Sequence, residues 1–170
     1  MLGNMSDIKL EHFADDGQFP NSRLPVIIYR QAIAGAAATP EAFEALFDGN
    51  GWTSQWRSGV YDYHHYHSTA HECLGIAGGK ATLRLGGPSG RSFDVRAGDV
   101  IVLPAGTAHR REAADTDFLV VGAYPPGQKW DLLRGEIGDR PDAESRISRV
   151  PLPATDPVGG QNGPIVQKWR

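Results

Sequence analysis

Apolar positions along the chain come in short runs broken by glycine and proline, and only one stretch repeats with a helical period. "LPVIIYR" (Leu24 to Arg30) is apolar and β-branched, which predicts a strand. "TPEAFEALFDGNG" predicts the one helix. Thr39 is placed as its N-cap and Pro40 at the first helical position, where a missing N–H costs nothing. Glu41 favours the positive end of the dipole, and Gly49 is assigned the left-handed stop. Phe43, Leu46 and Phe47, spaced i, i+3, i+4, give this helix a face to lay on a sheet.

From Trp52 onward the pattern predicts strands over Gly59–Tyr66, Glu72–Ala77, Ala81–Leu85, Ser92–Arg96, Val100–Leu103 and Asp117–Tyr124. "GGK", "GGPSGR", "AGD", "PAGT" and "YPPGQ" supply the turns. No helical period intervenes between them, so the expectation is an antiparallel sandwich or jelly-roll barrel rather than a parallel α/β sheet. Residues 1–23 have little periodicity and read as an N-terminal arm; residues 24–124 carry the helix and barrel. Residues 125–170 are rich in proline and glycine and read as an extended C-terminal tail, packed on the barrel or on a partner through Ile165, Val166 and Trp169. Too few apolar residues remain there for a second domain, so a single domain is expected.

Composition narrows the classes of function. The 170 residues are 40% hydrophobic and 22% charged, with a net charge of −3. That is globular composition without a basic footprint for nucleic acid or an anionic membrane. One cysteine, Cys73, excludes an intrachain disulfide and points to a reducing compartment. No apolar leader or membrane-length run is visible, so a cytoplasmic protein is expected.

Chemistry concentrates in "GVYDYHHYHSTAHECLGIAGG", Gly59 to Gly79. Strand alternation puts Tyr61, Tyr63, His65 and His67 on one face, and Asp62, His64 and Tyr66 on the other. An H-x-H pair sharing a face can bind one ion, with the middle residue turned away. Downstream, "GDVIVLPAGTAHR" runs a strand into a proline–glycine turn and presents His109, which can complete a set of three. Glu72 shares a face with Leu74 and Ile76. His71 stays ambiguous: it could replace or supplement Glu72 if the loop bulges, but alternation favours the opposite face. Cys73, next to Glu72 and facing away, reads as a buried inert thiol. Tyr61, Tyr63, Trp52 and Trp56 are candidates for the pocket lining, though each could equally be packed core.

The spacings Gly59-x5-His65-x-His67-x4-Glu72-x6-Gly79 and Gly98-x5-Pro104-x-Gly106-x2-His109 resemble the two motifs of the cupin superfamily. The second motif departs only at its last position, where the family pattern has asparagine and this chain has Ala113. "LPVIIYR", "NGW", "GVYDYHHYHSTAHE" and "GDVIVLPAGTAH" further resemble the YjlB-like single-domain bacterial cupins. The resemblance implies an all-β double-stranded β-helix, a jelly-roll barrel with one short N-terminal helix and an extended C-terminal tail. It implies metal ligation by His65, His67, Glu72 and His109. The ion would be a single divalent transition metal: iron, manganese, nickel or zinc. The ligand would be a small organic molecule, handled by a dioxygenase or an isomerase. The alternative is a non-catalytic module that binds a small molecule or a metal. Tyr61, Tyr63 and His71 are the candidates for proton transfer, since a metal-bound Glu72 is not free as a base. A homodimer is the expected assembly, with no nucleic acid or membrane partner.

Overall fold

The computed structural model describes residues 7–170. Nine strands and three helices follow in order: β1 Ile8–Phe13, β2 Ser22–Tyr29, α1 Pro40–Gly49, β3 Thr53–Ser58, β4 Glu72–Gly78, β5 Lys80–Leu85, β6 Arg91–Arg96, β7 Val100–Leu103, β8 His109–Ala114, β9 Leu119–Tyr124, α2 Asp142–Arg149 and α3 Ile165–Lys168. They form a six-stranded sheet, ordered β1-β2-β7-β4-β9-β3, and a three-stranded sheet, ordered β6-β5-β8. Every pairing is antiparallel. This is the all-β antiparallel architecture of two facing sheets that the glycine-punctuated pattern predicts. Among the described residues no helix is long and apolar enough to cross a membrane.

Alternation along the strands builds two apolar layers. Between the sheets, Val26, Ile28, Leu74, Ile76 and Ile101 of the larger sheet meet Leu83, Leu85 and Val95 of the smaller. On the outer face of the larger sheet, Ile27, Tyr29, Cys73, Val102 and Val121 pack against Phe43 and Phe47 of α1 and Trp169 of the tail. Both faces of β2, β4, β7 and β9 are therefore covered, which is why they read as continuous apolar runs rather than alternating ones. Gly75 lets α1 approach: a Cβ there would lie 2.7 Å from the Phe43 ring and 2.8 Å from that of Phe47.

Several local expectations need correction. The Thr39 hydroxyl does accept from Ala42 N–H at 3.1 Å, but α1 continues through Gly49. Asn50 caps the helix, and Gly51, with φ +83°, is the left-handed residue. The expected strand over Gly59–Tyr66 is an irregular extended loop that bridges only at His65 and Tyr66, while β3 ends just before it. Within the N-terminal arm, Ile8–Phe13 pairs with β2 as the sheet's edge strand. It went unseen because it is buried on little more than its last residue. His109 does not merely follow a turn; it opens β8, whose last three residues are exposed. The tail is not only extended, since it contains α2 and α3.

The tail folds back over the outer face of the larger sheet. Trp169 Nε1–H donates to the Pro25 carbonyl at 2.9 Å. Asp156, fully buried, accepts from Tyr29 Oη–H and from the N–H groups of Val158, Gly159 and Ile165. Trp52 Nε1–H donates to Thr155 O at 2.9 Å.

Candidate metal centre

His65 and His109 form an isolated antiparallel bridge, exchanging N–H···O bonds of 3.2 and 2.9 Å. That bridge ties the 59–71 loop to the start of β8 and sets the two imidazole centroids 4.1 Å apart. His67, two residues on in extended backbone, returns to the same side, with its centroid 5.6 Å from His65 and 5.5 Å from His109. One ring nitrogen from each of the three histidines lies within 4.8 Å of the others, and all three residues are buried. Glu72, at the head of β4, points inward with Leu74 and Ile76. Its Oε2 is 3.2 Å from His67 Nε2, and its Oε1 is 3.2 Å from His109 Nε2. The carboxylate thus meets two of the three imidazoles and stands outside the tight trio.

The orientation of each ring is fixed from behind. His65 Nδ1 contacts the Tyr63 carbonyl at 3.0 Å, His109 Nδ1 the Thr107 carbonyl at 3.0 Å, and His67 Nδ1 the Asp131 carbonyl. A carbonyl oxygen only accepts, so each Nδ1 carries the proton and each Nε2 is left to face the centre of the site. Asp131 is itself positioned by accepting from Ser68 N–H and Oγ–H, while its own N–H donates to Thr69 Oγ1. Behind Glu72, Tyr124 Oη–H donates to Oε2 at 2.6 Å, and Trp56 Nε1–H donates to Tyr124 Oη at 2.8 Å.

Electrostatics follow from this burial. Desolvation, helped by the neighbouring His109, pushes His65 down to about 3 and keeps it neutral. Burial also disfavours charge on His67, but the adjacent Glu72 carboxylate outweighs it and raises the imidazole above its usual range. Burial alone would raise Glu72; His67 and His109 beside it instead hold it well below the usual carboxylate range. A carboxylate this buried needs a cation, and three Nε2 atoms aimed at one point suit a borderline transition metal. The donor set fits such an ion.

The site lies at the base of a cavity of about 550 Å³ between the two sheets. Trp56, Tyr124, Trp130, Leu74 and Arg111 form much of its wall, and Tyr61, 54% exposed, stands at its mouth. Trp130 stacks on Tyr124 with centroids 4.5 Å apart and planes 8° from parallel. Of the expected lining residues, Trp56 and Tyr61 are there and two are not. Trp52 is fully buried in the outer core under the tail. Tyr63 stacks on the far side of Tyr61 at 4.9 Å, with the Arg134 guanidinium 3.7 Å above its ring. His71 also stands apart: its Nδ1 accepts from Ala105 N–H at 2.9 Å, and its ring packs 4.8 Å from Trp169 on the outer side. Alternation from Glu72 explains this placement, so of the proton-transfer candidates only Tyr61 reaches the cavity. His64 faces outward against Phe19.

Tyr124, Trp130, Asp131 and Arg111 are the site residues that the sequence pattern did not single out. Arg111 had a usable signal, being two residues past His109 on one strand face. Asp131 contributes a backbone oxygen, which no side-chain pattern can reveal.

The family model described as Cupin matches residues 55–126. The uncharacterised protein YjlB of Bacillus subtilis (strain 168) is 35% identical over 158 residues, covering 92% of this chain and 93% of its own. Among solved structures, a DUF861 family protein from Thermotoga maritima is 23% identical, over 49% of this chain and 89% of its own, with a TM-score of 0.35. Oxalate decarboxylase from Bacillus subtilis is 18% identical, over 68% of this chain and 28% of its own, with a TM-score of 0.39.

Proposed function

The chain belongs to the cupin family, and from that premise we propose that it binds one divalent transition-metal ion and acts on a small organic molecule. His65, His67 and His109 would hold the ion through Nε2, with Glu72 as the carboxylate ligand. The convergence of three Nε2 atoms whose Nδ1 partners are all backbone carbonyls carries this reading. Such a set leaves open coordination positions, and an ion bound there supplies Lewis-acid chemistry, or redox chemistry where the metal is iron or manganese.

The protein's own groups fix what surrounds that chemistry. Tyr124 and Trp56 orient Glu72, keeping Oε1 and one lone pair of Oε2 directed at the histidines. Trp56, Leu74 and the stacked Tyr124–Trp130 pair exclude water from one wall and offer a flat apolar surface to a ligand. Tyr61 Oη is an exposed phenol placed to exchange a proton at the mouth. A dioxygenase on an iron-loaded site, or an isomerase on manganese, nickel or zinc, fits this layout.

Metal analysis of the full chain, purified without chelator, tests the first step. About one equivalent per chain is expected in the wild type, and little in a His67→Ala protein of unchanged far-UV dichroism. A wild type with less than about a tenth of an equivalent overturns the metal reading. Oxygen uptake by iron-loaded protein, with diketones and phenols as candidate substrates, separates the oxidative from the non-oxidative class.

A further inference from the structure

We propose that the cavity selects small planar carboxylates and that Arg111 anchors the carboxylate group. The inference rests on the cavity as the ligand site proposed above, and it holds whichever metal is bound. Arg111 lies two residues beyond His109 on β8, so both side chains leave the same face of the smaller sheet. The register confirms the direction: His109 pairs with Leu85 and Arg111 with Leu83, both core residues with almost no exposure. A strand rises about 3.4 Å per residue, which sets Arg111 roughly 7 Å along the cavity wall from His109.

Arg111 is a half-buried residue on the inward face of a sheet, and a guanidinium held over a partly apolar cavity favours an anionic ligand there. Four other arginines have one, Arg30 on Asp99, Arg57 on Glu44, Arg91 on Glu11 and Arg140 on Asp15, whereas Arg111 is the arginine that lines the cavity. Among the described residues Arg111 forms no ion pair, and its side chain donates no hydrogen bond. Glu72 cannot serve, since its oxygens face His67, His109 and the Tyr124 hydroxyl. Asp62 sits on the exposed rim. The cavity therefore presents one uncommitted positive fork above the histidines, beside a wall made flat by the parallel Tyr124 and Trp130 rings. A planar molecule lying on that wall, with its carboxylate on the fork in bidentate geometry, satisfies both features.

Benzoate and its neutral isostere benzamide probe this directly, by calorimetry on zinc-loaded and on chelator-treated full-length protein. In the wild type benzoate is expected to bind at least about tenfold more tightly than benzamide, as a charge-assisted pair requires. Arg111→Gln should abolish the preference, and Arg111→Lys should retain part of it. Both variants should keep the wild-type unfolding midpoint and zinc stoichiometry. Equal binding of the two probes, no binding of either at millimolar concentration, or a benzoate preference surviving in Arg111→Gln overturns the proposal. A wild type that prefers benzoate but takes up no zinc leaves this proposal standing and defeats the metal reading. Zinc uptake without the preference does the reverse.

Discussion

His71 and Glu72 are neighbours in sequence with opposite fates, and the peptide bond between them divides the two faces of the larger sheet. Glu72 enters the cavity as an anion, whereas His71 is buried on the outer side, where desolvation lowers it to about 4. The unfolded chain, with an imidazole near 6.5, binds more protons than the folded one between those values. The stability that His71 contributes as a neutral residue is therefore complete above about pH 6.5, declines as pH falls, and is gone below about 4. The size of that loss is roughly 3 kcal/mol. Urea midpoints of chelator-treated protein should fall over this window, and less steeply in His71→Gln, whose amide can still accept from Ala105 N–H. His65, shifted in the same direction, keeps the slope from vanishing. An unchanged slope in the variant would refute the assignment. At this scale the sequence was informative: alternation put His65 and His67 on one side and His71 across from Glu72, because an extended backbone alternates whether or not a ladder forms. It was silent on Tyr124 and Trp130, which reach the site only through tertiary folding.

Elements explain what single residues cannot. Gly122 of β9 pairs with Trp56 of β3, and a Cβ at 122 would lie 2.1 Å from the indole. The missing side chain is what lets Trp56 lie across the strand and reach Tyr124. Gly122→Ala should cost about 1–3 kcal/mol in urea unfolding, as overpacking does, and should shift tryptophan emission as Trp56 is displaced. Wild-type emission with wild-type stability would show that the indole has room to spare. The same pairing shows where pattern reading stopped. β4, β7 and β9 were legible because both faces are apolar. β1, β3 and β8 were not legible because an edge strand with a largely exposed face resembles a loop.

At the scale of the molecule, the tail closes the outer core and its first residues complete the site. Asp131 fixes His67, Trp130 lines the cavity, and Trp169 and Asp156 cover the sheet behind them. Removal of residues 151–170 would bare Tyr29, Trp52 and Leu24. The truncated chain should lose at least about 3 kcal/mol from the departing Ile165 and Trp169 side chains alone. Chemical unfolding and protease sensitivity report this, and a truncated chain as stable as the full one would show that the tail is an appendage. The three carbonyls behind His65, His67 and His109 have a consequence for variation. Side-chain substitution at Tyr63 or Thr107 does not delete a main-chain oxygen, whereas the Asp131 side chain also anchors its own carbonyl through Ser68. Exhaustive mutagenesis should therefore find the ligand positions and Asp131 intolerant while Tyr63 and Thr107 accept many replacements. The geometry of the centre is inherited with the path of the backbone, and it can outlast wide drift in the letters around it.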